Sequence, residues 1–296
     1  MPASHAPRSA RLRTVLGPVL VVISCLSVQS SAAISSLLFD TLSTPAVAGL
    51  RQLTAAAVLL ALVRPRVRGW GRRGWTGIAV YGATMAGMNV SFYSAVDLLP
   101  LGVAATLLFL GPFTVAVSSV RSRMDALFPA AGLAGVVLVS QPGGNLAWTG
   151  VAWGTASALA LATYTVFAQR VGQTSTGLDG LSLSVGISAL LLLPYSAPAA
   201  ADLQGPEWLI VGVSGTVGVA LAFTLDFIAV KISGARVVAT LFALDPAIGA
   251  LVGVIALDES LSVPVAAGIG LIVAAGAGVT WRTGGQTSTP SRPKDT

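Results

Sequence analysis

Three ionisable residues of this chain of 296 residues sit inside apolar stretches: Arg51, Asp226 and Asp245. A charge at the centre of a bilayer costs about 2.5–3.5 kcal/mol on insertion scales, so such a residue should face protein and hold a partner. Asp245 is the clearest case. It lies roughly 15 Å along its apolar run at 1.5 Å per residue, near the midplane, and immediately precedes Pro246. A carboxyl group there can carry a proton or bind a substrate ammonium. Its structural alternative is a neutral aspartic acid hydrogen-bonded to a neighbouring helix. Asp226, nearer the inner end of its run, can line a cavity mouth or pair with Lys231 or Arg236. Arg51 can clamp a carboxylate in bidentate fashion. An ion pair, or snorkelling to the outer surface, is its simpler reading.

Neutral polar residues in the same stretches add hydrogen-bonding capacity: Gln29, Asn89, Tyr93, Thr106 and Tyr164. Asn89 and Tyr93 are four apart and share a helix face. Bonding between helices is the commoner role of any one such residue. Other chemistries lack raw material. There is one cysteine, Cys25, and one histidine, His5, in a polar tail, so no multi-cysteine metal site, histidine catalysis or cofactor is expected.

The elements that must position these residues are set by composition. Only 9% of residues are charged and 54% are hydrophobic, which excludes a soluble enzyme and intrinsic disorder. A bilayer span needs about 20 mostly apolar residues. Ten such stretches run near 15–37, 45–63, 75–96, 101–120, 126–141, 150–169, 180–197, 207–230, 235–256 and 263–281. A signal peptide is the alternative for the first, given Arg8, Arg11, Arg13 and the small residues at 30–33. Residues 282–296 read as a disordered tail.

With residues 1–14 placed in the cytoplasm, every basic residue except Arg51 falls on the inner side. Asp40, Asp97, Asp202, Glu207, Asp258 and Glu259 fall outside. The positive-inside rule therefore predicts ten spans in the cell membrane with both termini cytoplasmic. It also accounts for the net charge of +6 without nucleic acid.

The halves repeat. Residues 103–112 (VAATLLFLGP) and 237–246 (VVATLFALDP) share six of ten positions at an offset of 134. That offset carries five spans onto five, and an odd number inverts the second copy. The fold class predicted is thus all-α, with ten transmembrane helices as two inverted five-helix repeats, 15–141 and 150–281. Inverted repeats and interrupted helices are marks of secondary transporters, with the site at the midplane. Pro112 and Pro246 are the paired candidate breaks. Gly150 and Gly154 form a GxxxG whose expected use is close packing inside the bundle; a homodimer is the alternative.

The stretches YGATMAGMNVSFYSAVDLLPLGVAATLLFLGPFTVAVSSVRSRMD (81–125) and TLDFIAVKISGARVVATLFALDPAIGALVGVIALDESLS (224–262) carry a resemblance. They resemble the EamA-type drug/metabolite transporters, and among these the threonine/homoserine exporters. Arg51 in AGLRQ, and Tyr164 with Gln169-Arg170, match weaker motifs. The resemblance implies efflux of an amino acid through a central cavity, with the fifth and tenth helices peripheral. Three positions depart from the pattern: Leu108 replaces an acid, Asp245 a glutamate and Leu161 a tryptophan. The expected activity is proton-coupled export of an amino acid or related metabolite by alternating access, with Asp245 and Asp226 as proton-coupling groups. Rival cargoes are nucleotide sugars or lipid-linked intermediates, against which the single intramembrane Arg51 argues. A membrane-embedded enzyme would need a paired aspartate motif, and none surrounds Asp226 and Asp245.

Overall fold

A chain this apolar must satisfy its backbone hydrogen bonds within each segment, and helices do so. The computed structural model describes residues 8–67, 70–117, 127–140, 147–174, 178–233, 238 and 241–285. Among the described residues every regular element is helical. The first five helices are α1 (Arg8–Ser36), α2 (Thr44–Val63), α3 (Arg72–Val96), α4 (Leu101–Val117) and α5 (Leu127–Ser140). They are followed by α6 (Trp148–Thr174), α7 (Asp179–Asp202), α8 (Gly205–Ser233), α9 (Phe242–Ala256) and α10 (Val263–Gly285). Leu16–Ser36, α2, α7 and α8 are long and apolar enough to cross a membrane; Leu101–Gly111, α9 and Val263–Ala275 are shorter apolar helices.

The bounds differ from the sequence reading at the ends. Helix α1 begins at Arg8, so the cytoplasmic tail expected to residue 14 is partly helical. Helix α10 runs on to Gly285, past the expected start of the tail at 282. Helix α4 continues through Pro112 without a break, and Pro18, Pro194 and Pro198 also lie inside helices. A proline removes one N–H and kinks a helix, but the chain on either side can remain helical. Pro112 is therefore not a helix break. Pro246 does mark one: a 3-10 turn, Phe242–Leu244, follows the α-helical Leu241, and the chain becomes α-helical again at Asp245. Proline suits that first-turn position because its missing N–H would be unpaired there anyway. Arg68, Arg121, Arg123, Arg236, Arg292 and Lys294, placed above on the inner side, lie outside the described residues.

Packing inverts the pattern of a soluble protein. Ser24, Gln29, Ser31, Arg51, Gln52 and Thr106 are buried. Leu159, Leu190, Ile255 and Val263 are exposed, as lipid-facing residues would be. Helix α1 packs against α8 and α9, and α2 against α7. Helix α3 packs against α6 and α7, α4 against α6 and α9, and α5 chiefly against α10. Glycines let backbones meet: a Cβ on Gly102 of α4 would lie 2.6 Å from Ala250 Cα of α9. Gly150 of α6 fits against Leu98 and Leu99 of the α3–α4 connection, and Gly154 against Leu107 of α4, inside one chain.

Candidate functional site

Helix α1 is the organiser, because its polar residues fall on two faces. Cys25 and Gln29, four apart, look towards α9. Gln29 is fully buried, and its Nε2 donates to Asp245 Oδ2 at 2.8 Å. Its Oε1 has no partner. Cys25, one turn before Gln29 on α1, is buried near the Asp245 carboxylate. Asp245 thus has a neutral amide as its fixed partner, placed by the 3-10 to α junction at Pro246.

Ser24 and Ser31, seven apart, look towards α8. Ser24 Oγ donates to the Ala222 carbonyl at 3.1 Å and stands beside Asp226. Asp226 Oδ1 is sealed from solvent and has no hydrogen-bond partner. Lys231, the partner expected for it, instead places Nζ 4.6 Å from the Phe227 ring centroid. Asp226 and Asp245 are close enough to act on each other electrostatically, and Cys25 feels both. The two acids, from different helices, therefore flank one stretch of α1, Asp226 beside Ser24 and Asp245 beside Gln29.

Aromatic rings stand beside Asp226. Tyr81 of α3 and Tyr164 of α6 meet with centroids 4.8 Å apart and planes tilted by 45°, and Tyr164 meets Phe223 of α8 at 6.1 Å. Both tyrosines lie within electrostatic reach of Asp226. Tyr81, Ser24 and Cys25 escaped the sequence reading. Tyr81 is 83 residues from Tyr164 in sequence, and only the α3–α6 packing joins them.

Arg51 lies elsewhere. It is 2% exposed. Its Nη2 donates to Ser31 Oγ and, at 3.2 Å, to the Ser214 carbonyl. Its guanidinium carbon stands 4.6 Å over the Tyr93 ring. Among the described residues no acid pairs with it, so neither the ion pair nor the snorkelling expected from sequence is found. Gln52, next in sequence, is fully buried with both amide atoms unpartnered. Two other candidates are spent locally. Asn89 Nδ2 donates to the Met85 carbonyl at 2.9 Å, and Thr106 Oγ1 to the Gly102 carbonyl at 2.6 Å. Gln169 and Arg170 lie in α6 with side chains outside those described.

Known proteins are similar to this chain in sequence and in fold. Residues 148–281 match the model of the EamA-like transporter family. The threonine/homoserine exporter RhtA of Salmonella typhimurium (strain SL1344) is 29% identical over 263 residues, covering 86% of this chain and 88% of the relative. The threonine/homoserine exporter RhtA of Escherichia coli (strain K12) is 28% identical over 281 residues, covering 93% and 95%. A solved crystal structure superposes with a TM-score of 0.62 at 21% identity, over 91% of this chain and 98% of that one, and shows a shared fold. Residues 148–281 thus match the EamA-like transporter family model, within a chain similar to the threonine/homoserine exporters over most of its length, and its long apolar helices are those of a multi-pass membrane protein.

Proposed function

We propose that this protein is a secondary-active exporter of an amino acid, or a related small zwitterion, driven by inward proton flow. The observation that carries the reading is the pair of acids. Asp245 is tied to Gln29 at 2.8 Å, while Asp226 is left with an unpartnered oxygen. Two carboxyl groups of unlike environment, inside a bundle, suit one for the cargo ammonium and the other for the proton. Arg51 and the ring of Tyr93 stand apart from them, and Tyr164 forms a wall. The relatives' names supply the cargo class.

Alternating access would rock two inverted repeats, 15–141 and 150–281, with both termini cytoplasmic. The packing supports that symmetry. Swapping each helix for the one five places on turns α3–α6 into α8–α1, and returns α2–α7, α4–α9 and α5–α10 to themselves. The aligned residue of Asp245 is Gly111, whose bare backbone packs on Ala158 of α6. Only one repeat therefore carries the acid, which favours one proton-binding centre over two. Asp245→Asn in proteoliposomes should abolish threonine uptake driven by an imposed pH gradient while insertion stays intact. Unchanged coupling in that variant would sink the proposal.

A further inference from the structure

Among the described residues, Arg51 is the buried charge that stands outside the two acids. From Gly218, beside Arg51, to Asp226 is eight residues along α8, or about 12 Å at 1.5 Å per residue. From Ser31 to Cys25 on α1 is six residues, or about 9 Å. The amino and carboxyl groups of one α-amino acid fit within the span of a single residue, about 3.5 Å. With a hydrogen bond of about 2.9 Å at each end such a molecule reaches about 9 Å, short of the roughly 12 Å of α8 between Gly218 and Asp226, so Arg51 and Asp226 are separate sites for it.

Arg51 is nevertheless built as a receptor. It is fully desolvated, its Nε has no partner, and two neutral oxygens, of Ser31 and Ser214, occupy one edge of its fork. Leaving an arginine so placed is costly unless a charge reaches it at some stage. The wall opposite is a π-helical turn of α8, Thr216–Leu221. Such turns are rare and concentrate at functional sites. Gly218 within that turn brings the α8 backbone so near that any Cβ would run into Ser31 and Arg51. A return of this turn to α-helix would shift the backbone there and open the fork.

We propose that Arg51 is a separate carboxylate-binding site. It takes the carboxylate of a zwitterionic cargo after the ammonium has left the two acids, on the side of the bundle where α1 turns into α2. The cargo class rests on the function proposed above. Ser31 Oγ and the Ser214 carbonyl stand in for the two carboxylate oxygens while the site is closed.

The test uses purified full-length protein and two half-ligands at equal ionic strength. These are 3-hydroxybutyrate, a carboxylate without ammonium, and threoninol, an ammonium without carboxylate. Each should raise the Tm of wild type, and together their effects should add, because both sites fill at once. Arg51→Gln should weaken 3-hydroxybutyrate about tenfold or more, the loss of a charge-assisted bond, and leave threoninol unchanged. Asp245→Asn should do the reverse. Mutual exclusion of the two half-ligands, or an unaltered 3-hydroxybutyrate response in Arg51→Gln, overturns the proposal. If that variant does not fold, Arg51→Lys, which keeps charge but loses the fork, decides by the same shift, weaker severalfold; an unweakened response overturns it. Threonine flux in wild-type vesicles is measured beside these, since its absence would refute the transport reading and leave the Arg51 result standing.

Discussion

Two glycine-to-alanine changes should move stability in opposite directions, and the contact geometry says which is which. At Gly102 the added Cβ would lie 2.6 Å from Ala250 Cα, 2.7 Å from its Cβ and 2.9 Å from its N. Carbon atoms rest at about 3.5–4.0 Å, so α4 and α9 must part by roughly 1 Å. No flexible side-chain tip is available to move instead. Overpacking of this kind costs about 1–3 kcal/mol. With backbone as the obstacle we expect the upper half of that range, above the gain of about 1 kcal/mol that alanine brings to a helix. At Gly87, exposed within α3, nothing lies within 4 Å, and only the gain remains. Thermal unfolding of the purified variants, followed by tryptophan fluorescence, should place Gly102→Ala below wild type and Gly87→Ala at or above it. Ala250→Gly should rescue the first only in part, because the Cα and N contacts persist. A Gly102→Ala protein as stable as Gly87→Ala would refute the close-packed α4–α9 crossing.

Gln29→Leu removes the amide that holds Asp245 and should cost about 1–3 kcal/mol, the usual penalty for stranding a buried polar group. Adding Asp245→Leu should recover part of that loss, and strict additivity in a double-mutant cycle would show that the two do not interact. Glu259, in the turn between α9 and α10, accepts from the Leu101 N–H at 2.9 and 3.1 Å through its two oxygens and so caps α4. Burial holds its carboxyl above the ordinary carboxylate range, partly offset by the Leu101 N–H. The folded protein then binds this proton more readily than the unfolded chain, so this group favours folding increasingly as pH falls through the range just above ordinary carboxylate values. Glu259→Gln, whose amide oxygen can keep the cap, should flatten that part of the Tm–pH curve; parallel curves would remove Glu259 as its source.

Much of the helix inventory was legible because a bilayer leaves a chain few options. Lengths near 20 apolar residues and charges confined to connections follow from the cost of unpaired backbone and charge in lipid. α2 and α3 accordingly end within a few residues of the expected positions. The intramembrane residues Arg51, Asp226 and Asp245 were legible for the same reason: each breaks an apolar run at a cost that asks for a cause. Their partners were not. Hydropathy is a property of one segment, whereas a hydrogen bond between Gln29 and Asp245, 216 residues apart, depends on how α1 and α9 are rotated against each other. The same holds for the Tyr81–Tyr164 contact and for Arg51 between Ser31, Ser214 and Tyr93. Prolines misled in the other direction, since Pro112 sits in a continuous helix while the π turn of α8 falls in TVGVAL, which contains none. By itself the sequence determined which segments are helical and which charges they carry. Tertiary packing decided that two acids flank one stretch of α1 and that Arg51 packs against Gly218, about two turns of α8 from Asp226, because helix rotation and register are settled by side chains meeting across helices rather than along them.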